Sequence, residues 1–377
     1  MKKIRYIFLI AIGLATANSC SDDSFPVPPA STVPNYTFTI TNDAFAPATV
    51  TFTNTSIVPE RAGAVTYTWN FGDGTTSTEL NPVHEYTVPG NYKANLVVVT
   101  GNSMEIKQST QTVFVKDPNA TGVPLFFTNG QSVFSALINT QGPVPAPLTG
   151  VTLQKTYGLA VDTVNGKVYM ADAAAESIMV SDLDGKNLAV FRSNIGETDG
   201  VAIDYANKHI YWDTSEGIRR ANMEDTDVNQ YEDFTTGHPD DPEGIAIDPV
   251  TKAVFWNTYD GDVWTKKMDG TGEKSIFTSL GGGSVIVVGD RIYFDTYLSA
   301  GDISLLSSNF DGSGIETVAT GITRLVYGIG YEGDGKKIYW IDRDLKKIMR
   351  ANLDGTETEL WLETESEPRG IAIGKKK

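Results

Sequence analysis

The chain of 377 residues contains one cysteine and three histidines. A single cysteine rules out an internal disulfide framework and any metal site built from several thiolates. Three histidines leave little material for a zinc centre or a Ser-His-Asp triad. Positive charge is also scarce, with 30 Lys and Arg against 47 Asp and Glu and a formal net charge of -17. Binding to nucleic acid depends on Lys and Arg to neutralise phosphates, so that class is excluded. No nucleophile elbow, phosphate loop or paired-His motif occurs. What the chain does have is 36 Gly, 17 Pro, 16 Tyr and 16 Phe in an ordinary globular background that is 40% hydrophobic. Its length suffices for more than one domain. This composition describes a β-rich, acidic protein with few chemical tools.

The N-terminus has a distinct character. Lys2, Lys3 and Arg5 precede an apolar run from Tyr6 to Ala17 that ends at Cys20. The run is short for a bilayer span and has the layout of an export signal. Ala17, Asn18 and Ser19 before the only cysteine resemble a bacterial lipoprotein signal, in which the cysteine carries a lipid. The resemblance implies a signal peptide over 1–19 and lipidation at Cys20. Residues 20–34, with Pro26, Pro28, Pro29 and Pro34, then form an extended tether. Asp22 and Asp23 resemble the acidic export signal of surface lipoproteins in Bacteroidetes. An outer-membrane, cell-surface location follows by resemblance.

From 35 to 116 the chain turns to short alternating strands broken by Asn, Gly and Pro, the pattern of an antiparallel sandwich. Trp69 is expected in the core between the sheets, and Asp73-Gly74 in a tight turn. The run Trp69–Gly74, with Pro82–Tyr86, Gly90–Tyr92 and Leu96–Val98, is similar to the PKD domain family. That resemblance implies an Ig-like sandwich acting as a spacer or contact module, with His84 and Tyr86 in structural roles.

Beyond Lys116 the sequence repeats. A glycine unit recurs as Gly158–Asp162 (GLAVD), Gly200–Asp204 (GVAID) and Gly244–Asp248 (GIAID), with weaker copies at 284–288, 328–332 and 370–374. An aromatic unit follows the first five, anchored by Tyr169, Tyr211, Phe255, Tyr293 and Tyr339. Asp-Gly pairs follow at 184, 269, 311 and 354. A period of roughly 40 to 45 residues holding four short strands is the size of one propeller blade. The series resembles the YWTD repeats of the low-density lipoprotein receptor, class B. In copies such as Tyr211-Trp212-Asp213 the acid stands one place early, so receptor-type salt bridges are not carried over. Leu125–Asn129 matches a second strand with no glycine strand ahead of it, and Gly370–Ile373 is a glycine strand with nothing after it. The C-terminal segment is therefore expected to close the first blade. The fold class is all-β, an Ig-like PKD sandwich followed over 117–377 by a six-bladed propeller.

The loop leading into each inner strand lies at the mouth of a propeller's channel. The copies place Tyr157, Asp199, Glu243, Gly283, Tyr327 and Arg369 in that one slot. A uniform scaffold with a diversified rim suits a binding face. These aromatics, acids and arginine can stack on and hydrogen-bond a sugar, or anchor a peptide carrying a basic residue. Arg369 is also a candidate partner for Asp199 or Glu243. Outer-loop candidates are Glu176, Glu216, His238, Tyr259, Asp260, Tyr297 and Arg343. The expected protein is non-catalytic, with no catalytic or metal residues assigned. It binds a glycan or protein ligand, meets the membrane only through its lipid and is monomeric. Calcium is the one cofactor left open, because Asp199 and Glu243 can begin an oxygen-rich site of the kind found in propeller hydrolases, lactonases and lyases.

Overall fold

The structure, a computed structural model, describes residues 31–102, 104–138, 143–238, 240–299 and 302–376. The expected signal peptide, Cys20 and most of the tether lie outside these residues. Among the described residues no helix is long and apolar enough to cross a membrane.

The first fold is a sandwich of two antiparallel sheets. One joins Tyr36–Ile40, Ala48–Asn54 and Val83–Tyr86, and the other joins Thr76–Ser77, Val65–Asn70, Gly90–Thr100 and Ile106–Val115. Alternation along Ala48–Asn54 buries Ala48, Val50 and Phe52 and turns the intervening threonines outward, as a half-buried strand requires. Trp69 fills the core with no exposed surface, its ring 4.9 Å from Tyr36 and 5.2 Å from Phe52. Its indole N–H donates to the Glu79 carbonyl at 2.9 Å. Asp73 has the turn role expected of it, with Oδ1 accepting from the Thr75 amide and hydroxyl. His84 packs edge-on against Tyr86, which stacks on Tyr92, so both expected structural residues lie in one aromatic pile.

The repeats form six four-stranded sheets. Blade 2 joins Thr156–Asp162, Lys167–Asp172, Ser177–Asp182 and Ala189–Ser193 in sequence order, and the next three blades begin at Val201, Pro242 and Val285. Blade 6 begins at Ile329. Blade 1 takes Pro124–Asn129, Ser132–Leu137 and Ala146–Pro147 and receives Ile371–Ile373 from the far end of the chain as its inner strand. The inner strands touch in turn and return to the first, so the ring is closed and each inner edge lies against its neighbours. Each second-strand aromatic packs between its own blade and the next. Tyr169 sits with Ile210 and Trp212, and Tyr211 with Val254 and Trp256.

The glycine strand has a steric cause. A Cβ on Gly158 would stand 2.7 Å from the Asp199 carbonyl oxygen, one on Gly200 2.8 Å from that of Glu243, and one on Gly328 2.6 Å from that of Arg369. Successive inner strands therefore approach backbone to backbone at the channel mouth, where only glycine leaves room.

Candidate functional site

The rim loops are held from below by the second strands. Asp213 accepts from the amides of Asp199 (2.9 Å) and Gly200 and faces the Thr198 hydroxyl at 3.3 Å. Asp295 accepts from Gly283 (3.0 Å), Ser284 (2.7 Å) and, across the blade boundary, Val326 (2.8 Å). Thr128 does the same for Arg369 (2.8 Å) and Gly370 (3.0 Å), and Asp172 for Gln154 (2.8 Å) and Lys155 (2.9 Å). The acids that stand one place early thus bind backbone amides rather than a basic side chain. They tie the rim at Asp199 and Gly283 to rigid strands. Asp213 and Asp295 pay for this position in acidity, since burial raises both, Asp295 to about 7.

On this frame one side of the mouth is acidic. Asp199 and Glu243 stand in hydrogen-bond contact, which two carboxyls make only when one carries a proton. Glu243 is 4% exposed, and burial, reinforced by the charges of Asp199 and Asp213, pushes it up to about 12. Asp199 is raised to about 6, mainly by burial. The pair titrates as a unit, with the proton resting on Glu243. Apart from the proton the two carboxyls share, no protein donor among the described residues reaches Oδ1 of Asp199 or Oε2 of Glu243. Both carboxyls line a cavity of about 220 Å³ together with Lys155, Asp241, Tyr157 and Tyr327. Lys155 bonds Glu197 at 2.6 Å and stands 5.0 Å from the Tyr157 ring centre.

The other side is aromatic and basic. Tyr157 and Tyr327 meet at 4.5 Å between ring centres, so residues far apart in sequence form one wall. Burial, with Glu243 and Asp199 next, raises the Tyr327 phenol far above its ordinary value. Arg369 lies over Tyr157 at 4.6 Å and Arg343 over Tyr327 at 4.8 Å.

The structure brings the five side-chain-bearing rim candidates, Tyr157, Asp199, Glu243, Tyr327 and Arg369, together around the mouth. It corrects the partner suggested for Arg369, which faces Glu367 at 3.5 Å instead of Asp199 or Glu243. Arg343 also bonds Glu367 and is 4% exposed, so it belongs to the inner wall and not to the outer loops. Of the remaining outer candidates only Tyr259 lines the cavity, while Glu176, Glu216, Asp260 and Tyr297 do not. His238 is corrected as well. It is 7% exposed, edge-on to Trp256 and Trp264, and its Nε2 accepts from the Trp256 indole at 3.3 Å. Apolar rings on both sides explain its burial, and burial lowers its pKa. Lys155, Glu197 and Glu367, which sequence reasoning missed, join the rim residues together with Asp241. All four stand two places before a rim residue, so the same alignment moved back by two would have found them.

Comparison with known proteins agrees with these two folds. Residues 32–115 match the PKD domain family. Residues 166–205 match the low-density lipoprotein receptor repeat class B, inside the propeller. Collagenase ColA of Bacillus cereus is 42% identical over 62 residues, 16% of this chain and 6% of the collagenase, so this chain spans a small part of that relative. Among solved structures, a nidogen/laminin complex superposes with a TM-score of 0.59 at 18% identity, covering 67% of this chain and 98% of that one. TolB from Acinetobacter baumannii superposes at 0.54 with 12% identity, covering 77% and 81%. At such identities the likeness is one of fold: a PKD sandwich and a propeller built from class B-like repeats. Among the described residues no group of three or more His, Cys, Asp or Glu is placed to hold a metal ion.

Proposed function

We propose that the chain is a non-catalytic cell-surface lipoprotein, anchored through Cys20, whose propeller mouth binds an extracellular protein or glycan. The PKD sandwich serves as spacer or accessory contact. One observation carries this reading. Four rim loops are latched to rigid strands by second-strand polar side chains, and the rim presents different side chains into a shared mouth. Rigid strands with diverse tips lower the ordering cost of binding and leave specificity to the tips. The likeness to a nidogen solved with laminin favours a protein as ligand. The test is a screen of the full chain against arrays of extracellular proteins and glycans, with and without calcium. Saturable binding that is lost in both Tyr157→Ala and Tyr327→Ala supports the mouth; binding untouched by either refutes it.

A second reading is a hydrolase, lactonase or lyase acting on an extracellular substrate. It is favoured by the Asp199–Glu243 pair, whose acidities are pushed apart as acid and base roles require. Ester or lactone hydrolysis abolished by Glu243→Ala would establish it over the binder.

A further inference from the structure

The acidic side of the mouth holds a mismatch between what it presents and what the protein supplies. Oε2 of Glu243 is buried on a side chain 4% exposed, and Oδ1 of Asp199 is buried beside it. Beyond the one proton they share, neither has a protein donor among the described residues, and both residues line the 220 Å³ cavity. Two buried carboxyls served by a single proton are short of donors, and a site that keeps them so is shaped for donors from outside. The cavity is smaller than the ~300 Å³ at which pockets for drug-sized ligands begin, which suits one side chain better than a whole ring system. Three tyrosines, Tyr157, Tyr327 and Tyr259, share its lining with the acids. Lys155 already places an ammonium 5.0 Å from the Tyr157 ring centre at its margin.

We infer that this cavity is a subsite for a primary ammonium, the side-chain end of a lysine on a protein ligand, held by Asp199 and Glu243 between the tyrosine rings. An ammonium carries three donors and no acceptor, which complements two carboxyls that share one proton. Tyrosine faces attract an organic cation, whereas among the described residues no three His, Cys, Asp or Glu are grouped to hold a metal ion. The inference rests on the mouth being the binding face and adds the chemistry of its ligand.

Binding has a proton balance. In the free protein one proton lies between the two carboxyls, on Glu243. The arriving ammonium brings its own positive charge and three N–H donors, so the Glu243 O–H bond breaks and that proton leaves to buffer. Both carboxylates then accept from the ammonium, which stays intact. The charged and titratable groups facing the pair are Lys155, Glu197, Asp213, Asp241 and Tyr327, with Tyr157 and Tyr259 in the wall. Only Lys155 among them is cationic, and Glu197 already holds it.

The experiment is titration calorimetry of the full chain at pH 7.5 with Nα-acetyl-lysine amide, in two buffers of different ionisation enthalpy. The same titration uses Nα-acetyl-arginine amide and calcium chloride as comparison arms. The expected result is saturable binding of the lysine analogue with release of about one proton. Glu243→Gln has the shape of the protonated residue and is expected to keep the parent's cooperative thermal unfolding. It should weaken binding at least ~10-fold and abolish proton release. The inference is overturned by no binding of the lysine analogue, by equal affinity in parent and Glu243→Gln, or by a preference for calcium or arginine. If the analogue fails while the macromolecular ligand still requires Tyr157 and Tyr327, the ammonium subsite falls and the mouth stands. If the macromolecular ligand ignores both tyrosines, the mouth reading falls, whatever the analogue does.

Discussion

Gly370 lies so close to Tyr157 that a Cβ at 370 would overlap the Tyr157 carbonyl oxygen. This contact joins the last inner strand to the first complete blade, and a residue near the C-terminus thereby fixes the position of a rim tyrosine. Any side chain must push the two backbones apart. Gly370→Ala is expected to cost about 3 kcal/mol or more, beyond the usual range for one methyl added to a packed core. Chemical denaturation measures it; a loss below 1 kcal/mol would show that the ring breathes at this joint.

Truncation after Pro368 removes Arg369, the glycine strand and its register with Phe126 and Phe127. Those two phenylalanines, each 1% exposed, would then face solvent along an unpaired sheet edge. The truncated chain should lose cooperative thermal unfolding of the propeller and bind a hydrophobic dye. An unchanged melting profile refutes closure as a source of stability.

Asp295 holds three amides from two blades with no exposed surface. In Asp295→Ala those amides lose their acceptor inside the protein. The expected loss is on the order of 3–5 kcal/mol, since each buried unpaired amide costs about 1–3. Asp295→Asn keeps one carbonyl acceptor and should be milder. Urea denaturation of both, with the alanine variant no worse than the asparagine one, is the outcome that rejects the latch.

The carboxyl pair makes stability depend on pH in a direction opposite to that of an ordinary salt-bridged acid. A carboxyl whose folded-state pKa is raised stabilises the fold while protonated, and that stabilisation is lost as pH climbs through the folded value. Asp199 is raised from 3.8 to about 6 and Glu243 from 4.5 to about 12. Their joint contribution therefore falls with rising pH from about 4 upward. The Asp199 part levels off above about 6, and the Glu243 part continues into the alkaline range. Glu243→Gln is neutral at every pH and should flatten the slope, melting higher than the parent at about pH 8 and alike at about pH 4. Parallel pH profiles would reject the shared proton.

In the sandwich, the Tyr36 hydroxyl donates to the Ala94 carbonyl at 2.5 Å and accepts from the Gln111 amide at 2.9 Å. Tyr36→Phe keeps the ring against Trp69 and removes both bonds, at an expected cost of about 1–2 kcal/mol. A variant as stable as the parent in guanidinium would show that water replaces the hydroxyl.

The sequence by itself determined the elements and the ring. Strand alternation, the Asp-Gly turns and the glycine units are local, and each blade repeats them, so Gly158, Gly200 and Gly244 could be aligned by eye. Even the closing strand at 371–373 was legible, because Leu125–Asn129 lacked a partner that only the C-terminus supplied. The rim slots followed from the same alignment. Only the tertiary structure decided which neighbours those rim residues meet. Asp199 and Glu243 belong to different blades and share a proton because the backbones of those blades nearly touch at Gly200. Arg369 faces Glu367 in its own loop, a choice between acids that no spacing ranks. His238 looks like a loop residue among prolines and aspartates, yet two tryptophans bury it. A repeat encodes contacts within a blade, where separation in sequence is short and constant. Contacts across the mouth depend on how tightly successive blades close, and that distance is set by the whole ring.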